Sequence, residues 1–586
     1  MNCIKLRPGA SVVLLACLQL PPAALGASLE YSVDGLEDEL ERNALAWLGD
    51  PPESAQQRVS FVASAREKVE RSLQALGYYS PDINVEVLRT EPAWKLTIEV
   101  NPGEPVHIRD ITVQLLGPAA ADSGFDELLA SVPFRPGDVL RHDTYETYKR
   151  LLLATGQRRG YFDGKFVHSR VAVETGAGSA DVELRYESGR RFRFGELQYD
   201  ETQISGAQLE ALRTFQTGDY FAQGRLQELQ AQLQRTGFYS GVLLTPELQQ
   251  AKDGSIPLDL TLYPAKRHSF DVGIGYSTDT EERVSLTWRT PKINRWGHSQ
   301  ETRLEYSPIN PSGRIIYNIP LTHPINDFLQ FSARLEDNEF GDIDSQQEEL
   351  GVRRETRAER WITGYSLRSL SESWELLQDS RTNDYLLPGF SLSRRDRVGS
   401  LVDPSSAFSQ FYQVEVASES AGSDIDLLRA TARFGYIYTL APDHRLVSRA
   451  ELGLALVDDS DRQDLAPSLN FFAGGSQSIR GYGYHSVGNE VRVTRESGDA
   501  VTLVVGGDRM VTASIEYQYY FNQTWRGAIF LDGGDAFDEG EFDLHLGAGF
   551  GVHYLTPVGA VRLEFANPIS EDKPDWRIHF AIGAEF

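Results

Sequence analysis

The chain has 586 residues, a formal net charge of −27 and a mean hydropathy of −0.35. That length is too great for a single core, and the acidic balance excludes nucleic acid as a partner. No apolar run beyond the first thirty residues is long enough for a membrane helix, whereas 28 Phe, 25 Tyr, 8 Trp and 51 Gly point to many strands with aromatic anchors and tight turns.

Residues 1–26 read as a secretion signal: Lys5 and Arg7, an apolar run over Ser11–Leu20, then the small-residue site Ala24-Leu25-Gly26. Both cysteines, Cys3 and Cys17, fall inside it. The exported chain is therefore expected to fold without disulfides and to carry no thiolate chemistry.

Residues 28 to 266 contain one phrase three times: Leu76-Gly77-Tyr78-Tyr79-Ser80, Arg159-Gly160-Tyr161-Phe162-Asp163 and Thr236-Gly237-Phe238-Tyr239-Ser240. Each follows an amphipathic stretch, as where Leu226, Leu229 and Leu233 share one helical face. Glycine ends the helix and the aromatics open a strand. A second phrase, Phe134-Arg135-Pro136-Gly137-Asp138, returns as Phe215-Gln216-Thr217-Gly218-Asp219 in the linker between two helices. The period predicts three α+β units over 27–104, 105–190 and 191–266, each ordered strand, helix, helix, strand, strand. This order and the Gly-aromatic-aromatic phrase resemble POTRA domains, periplasmic modules that offer an open sheet edge to extended segments.

From His268 the period becomes two. Phe270, Val272, Ile274 and Tyr276 face one way, while Asp271, Gly273, Gly275 and Ser277 face the other. Segments of about ten residues, apolar outside and small or polar inside, have the length and pattern of membrane strands. Sixteen can be placed over 267–586, giving an all-β transmembrane barrel. The last, 576–586, points Trp576, Ile578, Phe580, Ile582, Ala584 and Phe586 outward; an outward terminal aromatic resembles an outer-membrane assembly signal, although Ala581 stands where that signal usually has Gly.

The alternation breaks at 458–509, between the eleventh and twelfth strands. Its centre, Phe471 to Gly488, is rich in glycine and holds one cation, Arg480, in Ile479-Arg480-Gly481-Tyr482. Strand parity turns Glu516 and Asp532 toward the lumen, where two carboxylates would seat one guanidinium. The expected role is a tether for the loop rather than catalysis.

Repeated modules, a sixteen-strand barrel and this loop together resemble the outer-membrane insertase superfamily, which includes the BamA, TamA and two-partner secretion branches. Phe530-Leu531-Asp532-Gly533-Gly534 matches the family's Phe-x-Asp-x-Gly segment, which meets the loop arginine. Three modules look like the TamA branch; two would look like a two-partner secretion transporter, the nearest alternative. The resemblance implies location in the outer membrane of a Gram-negative bacterium, with residues 27–266 in the periplasm. It also implies nascent outer-membrane proteins, especially autotransporters, as clients, a TamB-like inner-membrane-anchored partner, and contact with outer-membrane lipid. A lateral seam is implied between 268–277 and 576–586, where Gly273, Gly275, Gly583 and Phe586 sit and few side chains stiffen the join.

Other classes find little support. Gly-x-Ser-x-Gly and His-Glu-x-x-His are missing, the eleven histidines are scattered, and no nucleotide fingerprint joins a strand to a helix. No catalytic residue, metal or cofactor is therefore expected. Lumenal charges such as Arg433, Arg562 and Glu564 would suit a passive porin, but three soluble modules and a tethered loop would not.

Overall fold

The computed structural model describes residues 28–90, 93–376, 379–400, 402–494, 500–557, 559–571 and 574–583. The secretion signal read over 1–26 and the terminal Phe586 lie outside them.

The first module runs β1 (Ser28–Asp34), α1 (Asp38–Leu48), α2 (Ala55–Ala75), β2 (Asp82–Arg89) and β3 (Ala93–Asn101). The second runs β4 (His107–Leu116), α3 (Asp126–Ala130), α4 (His142–Arg158), β5 (Lys165–Glu174) and β6 (Ser179–Glu187). The third has β7 (Arg193–Tyr199), α5 (Gly206–Leu212), α6 (Gln223–Arg235), β8 (Tyr239–Pro246) and β9 (Ser255–Pro264). In each, the last strand lies at the centre of a three-stranded sheet. Helix faces carrying Val69 and Leu73, or Tyr148 and Leu152, pack on Leu96 and Ile98, or Val182 and Leu184. Alternation on the strands and a 3.6-residue period on the helices thus meet in one core per sheet.

The two repeated phrases have different jobs. Each Gly-aromatic-aromatic glycine takes a positive φ: +95° at Gly77, +92° at Gly160 and +73° at Gly237. The Gly77 carbonyl accepts the N–H of Val106 at 2.8 Å, and that of Gly160 accepts the N–H of Phe192 at 2.9 Å, so the helix end of one module receives the start of the next. A Cβ at Gly160 would lie 2.8 Å from the Cβ of Phe221. Phe162 stacks edge-on against Phe192 and Phe221 across the same joint. The Phe-x-x-Gly-Asp phrase, placed by sequence between helices, also clips back onto its own first strand. Gly137 and Asp138 exchange 2.8 Å hydrogen bonds with Ile108, and Gly218 and Asp219 do the same with Phe194.

The chain divides into two compact units, the first holding Met1–Glu196, Thr217–Gly224 and Leu248–Pro257, the second Leu197–Gln216, Arg225–Glu247 and Leu258–Phe586. Within the second unit, Ser205 N–H donates to the carbonyl of Arg295 at 3.1 Å, and Lys292 lies 4.7 Å from the Tyr239 ring centroid while its Nζ donates to the Gln203 carbonyl.

The barrel begins with β10 (Ser269–Ser277), β11 (Glu281–Thr290), β12 (Ser299–Tyr306), β13 (Ser312–Pro320), β14 (Asp327–Phe340), β15 (Ile343–Ala358), β16 (Trp361–Leu376) and β17 (Asp379–Gly399). It continues with β18 (Pro404–Ala417), β19 (Leu427–Ala441) and β20 (His444–Val457). A small hairpin, β21 (Glu490–Thr494) and β22 (Ala500–Val504), stands in the loop. The wall resumes with β23 (Arg509–Tyr520), β24 (Trp525–Phe537), β25 (His545–Thr556), β26 (Gly559–Pro568) and β27 (Arg577–Gly583). Sixteen antiparallel strands close in sequence order, with β10 next to β27. Ile274, Leu335, Leu350, Ile529 and Ile578 are exposed on the outside, whereas Glu516, Asp532, His553 and Glu564 are buried on the inside. An apolar exterior around a polar lumen is the arrangement lipid selects.

The join is thin. β10 pairs with β11 at nine positions and β26 with β27 at seven. Among the described residues, β10 and β27 share one ladder pair, Ser277 with Ala581, extended by Thr278 N–H to the Phe580 carbonyl at 3.1 Å. Gly273 and Gly275 pair with Ser285 and Arg283 on β11, and Gly583 pairs with Ala560 on β26. Among the described residues, the seam glycines lie on the two join strands and do not pair across it.

Candidate functional site: a loop pinned inside the barrel

Between β20 and β23 the chain folds inward and pairs with itself. Phe471 and Gly507 exchange two hydrogen bonds of 2.9 Å, and Ala473 and Val487 exchange bonds of 2.8 and 3.0 Å. Leu465, Leu469, Phe471, Ile479 and Val487 bury against wall residues that include Leu370, Tyr385, Leu427 and Met510. These bonds satisfy part of the loop's backbone internally, and its apolar side chains have a core, as ordering so long a segment requires. Early in the loop, Arg462 bridges Asp508 at 3.2 Å and Asp538 at 2.9 Å.

Arg480 sits at the centre and is 1% exposed. Its Nε donates to Asp532 Oδ2 at 2.7 Å and its Nη2 to Asp532 Oδ1 at 2.9 Å, a two-pronged pair. Nη1 reaches Glu516 Oε2 at 2.5 Å and Glu564 Oε1 at 3.2 Å. Nη2 also meets Ser514 Oγ at 3.3 Å, and the Arg480 backbone N–H donates to Asp532 Oδ2 at 3.0 Å. The guanidinium carbon lies 3.4 Å from the centroid of the Phe530 ring, so the cation is stacked as well as paired. Glu516 and Ser514 come from β23, Asp532 and Phe530 from β24, and Glu564 from β26.

The next two residues fix the direction of the turn. Gly481 has φ +100°, and a Cβ there would lie 3.0 Å from the Asn567 carbonyl carbon and from Pro568 N. Its N–H donates to His579 Nε2 at 3.0 Å. The Tyr482 hydroxyl pairs with Ser570 Oγ at 2.7 Å, and its ring stands edge-on to His545.

A polar chain runs on from this site along the wall. His553 Nε2 lies 3.0 Å from Glu564 Oε1, Arg526 Nε donates to His553 Nδ1 at 3.1 Å, and Arg526 Nη1 donates to Asp403 Oδ1 at 3.0 Å. Because Nδ1 accepts, the bonding assigns His553 the neutral tautomer with hydrogen on Nε2. Glu516, His553 and Glu564 place ligand atoms within 4.8 Å of one another, a spacing a metal could use. The cationic position among them is filled by Arg480, and both His553 nitrogens are engaged, so these residues do not fit an added ion.

The structure thus brings Arg480, Glu516 and Asp532 into direct contact and sets Gly481 and Tyr482 against β25, β26 and β27. Sequence reasoning missed Glu564, which it had grouped with porin-like lumenal charges, and also His553, Ser514, His579 and Asp279. Parity points Glu564 and His553 inward, but only barrel closure brings β26 within reach of a loop residue already paired to β23 and β24.

A family model described as the Omp85 superfamily domain matches residues 266–586, more than half of the chain, and one described as POTRA domain TamA domain 1 matches residues 30–102. Among solved structures, BamA from Haemophilus ducreyi lacking POTRA domains 1–3 aligns at 15% identity and a TM-score of 0.71, covering 82% of this chain and 99% of that one. CdiB from Acinetobacter baumannii aligns at 16% identity and a TM-score of 0.44, covering 94% and 100%. CdiB from Escherichia coli aligns at 12% identity and 0.44, covering 91% and 99%.

Proposed function

The chain belongs to the Omp85 superfamily, and from that premise we propose that it is an assembly factor that helps insert other β-barrel proteins, autotransporters in particular, through the join between β10 and β27. The superfamily places the barrel in the outer membrane and the modules in the periplasm, and makes the protein an insertase or transporter in general terms. The observation that carries the finer reading is the single described ladder pair between the first and last strands. A strand entering lipid must have its backbone N–H and C=O groups paired. An under-paired wall strand is a template that meets that need as the client enters. The three modules, and the match of the first to a TamA-type domain, support a TamA-like protein working with a TamB-like inner-membrane-anchored partner.

Cysteines at Ser277 and Ala581, the paired positions, provide the test. Oxidation should lock the join and stop autotransporter assembly in reconstituted membranes, and reductant should restore it. Undiminished assembly by the oxidised protein would overturn the reading. Co-purification with a large β-rich inner-membrane-anchored protein would support the TamA-like branch over a two-partner secretion transporter, which exports one dedicated substrate.

A further inference from the structure

Among the described residues one ladder pair and the Thr278–Phe580 contacts are little to hold a barrel shut, yet Asp279 and His579 on the two sides of the join are buried. On the first side, Asp279 in the turn after β10 is 8% exposed. It accepts hydrogen bonds from the backbone N–H of Ser476 at 2.8 Å and from Ser476 Oγ at 2.5 Å. On the other side, His579 of β27 is 2% exposed and accepts the Gly481 N–H through Nε2 at 3.0 Å. With Nε2 accepting, the hydrogen of neutral His579 lies on Nδ1. Among the described residues that Nδ1 has no hydrogen-bond partner, and it sits 3.8 Å from Asp279 Oδ1, across the join and just beyond bonding distance.

Ser476 and Gly481 belong to the same short stretch of the loop, and Arg480 between them is fastened to three other wall strands. Next to the described contacts between β10 and β27, the turn after β10 and strand β27 each bond to this stretch. We infer that Ser476–Gly481 is the clamp that holds the join closed, with Asp279 and His579 as the positioning residues on its two sides. Opening then requires the clamp to let go of one side. The Arg480 site, with three carboxylates on one guanidinium, is the strongest of the three attachments, so the loop stays docked while a side releases. A buried carboxylate loses its hydrogen bonds only at a cost, and bonds from an amide or hydroxyl to an ionised acceptor are among the stronger ones. This inference rests on reading the join as a gate and assigns what keeps that gate shut.

Nitroxide labels on the lipid-facing positions Ile274→Cys and Ile578→Cys report the width of the join in the full-length protein reconstituted in bilayers, without client. Asp279→Ala and His579→Ala, each in this background, should raise the ratio of wide to narrow separations at least about tenfold while the barrel keeps its heat-modifiable folded band on gels. Asp279→Asn keeps one acceptor and should give a smaller rise. If an alanine variant does not reach the folded band, Asp279→Asn and His579→Gln are measured under the same criterion. A separation distribution identical to the parent in both side variants overturns the clamp and leaves the gate reading standing. A widened join with unchanged client insertion supports the clamp and overturns the gate reading instead.

Discussion

Removal of the Arg480 side chain is the sharpest test of the lumenal site. Arg480→Ala deletes five side-chain hydrogen bonds and a stacked cation, and strands three carboxylates that are at most 7% exposed. Breaking a buried ion pair by deleting one partner costs about 3–5 kcal/mol. The remaining contacts, Leu469 and Phe471 against the wall and the paired backbone, still favour docking. A loss of about 4 kcal/mol corresponds to roughly a thousandfold shift toward the released loop. The assay is limited proteolysis at 470–490 in the folded barrel, alongside urea unfolding of the whole. Arg480→Ala should expose the stretch to protease and lower the unfolding midpoint. Arg480→Lys keeps the charge but loses the fork and the flat stacking face, and should fall between the two. Full protease protection together with an unchanged midpoint in Arg480→Ala would refute the tether.

Glycine substitutions should separate joint from turn. Gly160→Ala combines a positive φ with a clash against Phe221 and should cost about 2–4 kcal/mol, whereas Gly237→Ala, with nothing within 4 Å, should cost only the backbone strain of about 1 kcal/mol; urea unfolding compares them. Gly481→Ala should weaken loop docking without altering barrel assembly in detergent, which the same proteolysis assay would detect. Asp122 offers a pH test in the second module. Burial opposes its ionisation, but Arg159, the Gly124 N–H, Tyr161 and Arg191 together hold its carboxyl at about 2 against an ordinary 3.8. A folded value below the unfolded one makes the carboxylate stabilising above pH 4 by about 2 kcal/mol, a contribution lost as pH falls through 2. Pulse proteolysis of the full chain between pH 7 and pH 2 should show that loss, and Asp122→Asn should remove this carboxylate's share of it while Asp143 and Asp181, also held below the usual range by arginines, keep theirs.

Strand periodicity was enough to turn Glu516 and Asp532 inward, because a two-residue repeat fixes which face a side chain takes whatever the strand's neighbours are. It could not say which inward residues meet. Glu564, on β26, is two strands beyond the pair already predicted for Arg480, and its reach depends on how the sheet curls. His579 and Asp279 are 300 residues apart in sequence and adjacent only because the barrel closes. The repeated Gly-aromatic-aromatic phrase was legible as a repeat and as a helix end. Its second role as a joint was not, since the partners Val106, Phe192 and Phe221 carry no pattern that announces them.

The apolar packing of the loop against Leu370, Tyr385, Leu427 and Met510 bears on permeability. A sixteen-strand barrel with an empty bore would be a leak for small solutes, and the outer membrane's value to the cell is its resistance to them. Leu465, Leu469 and Phe471 instead pack inside the bore against the wall, so the loop narrows the axial path from within. On the proposed lateral route, material would enter the bilayer through the join while the docked loop keeps filling the bore.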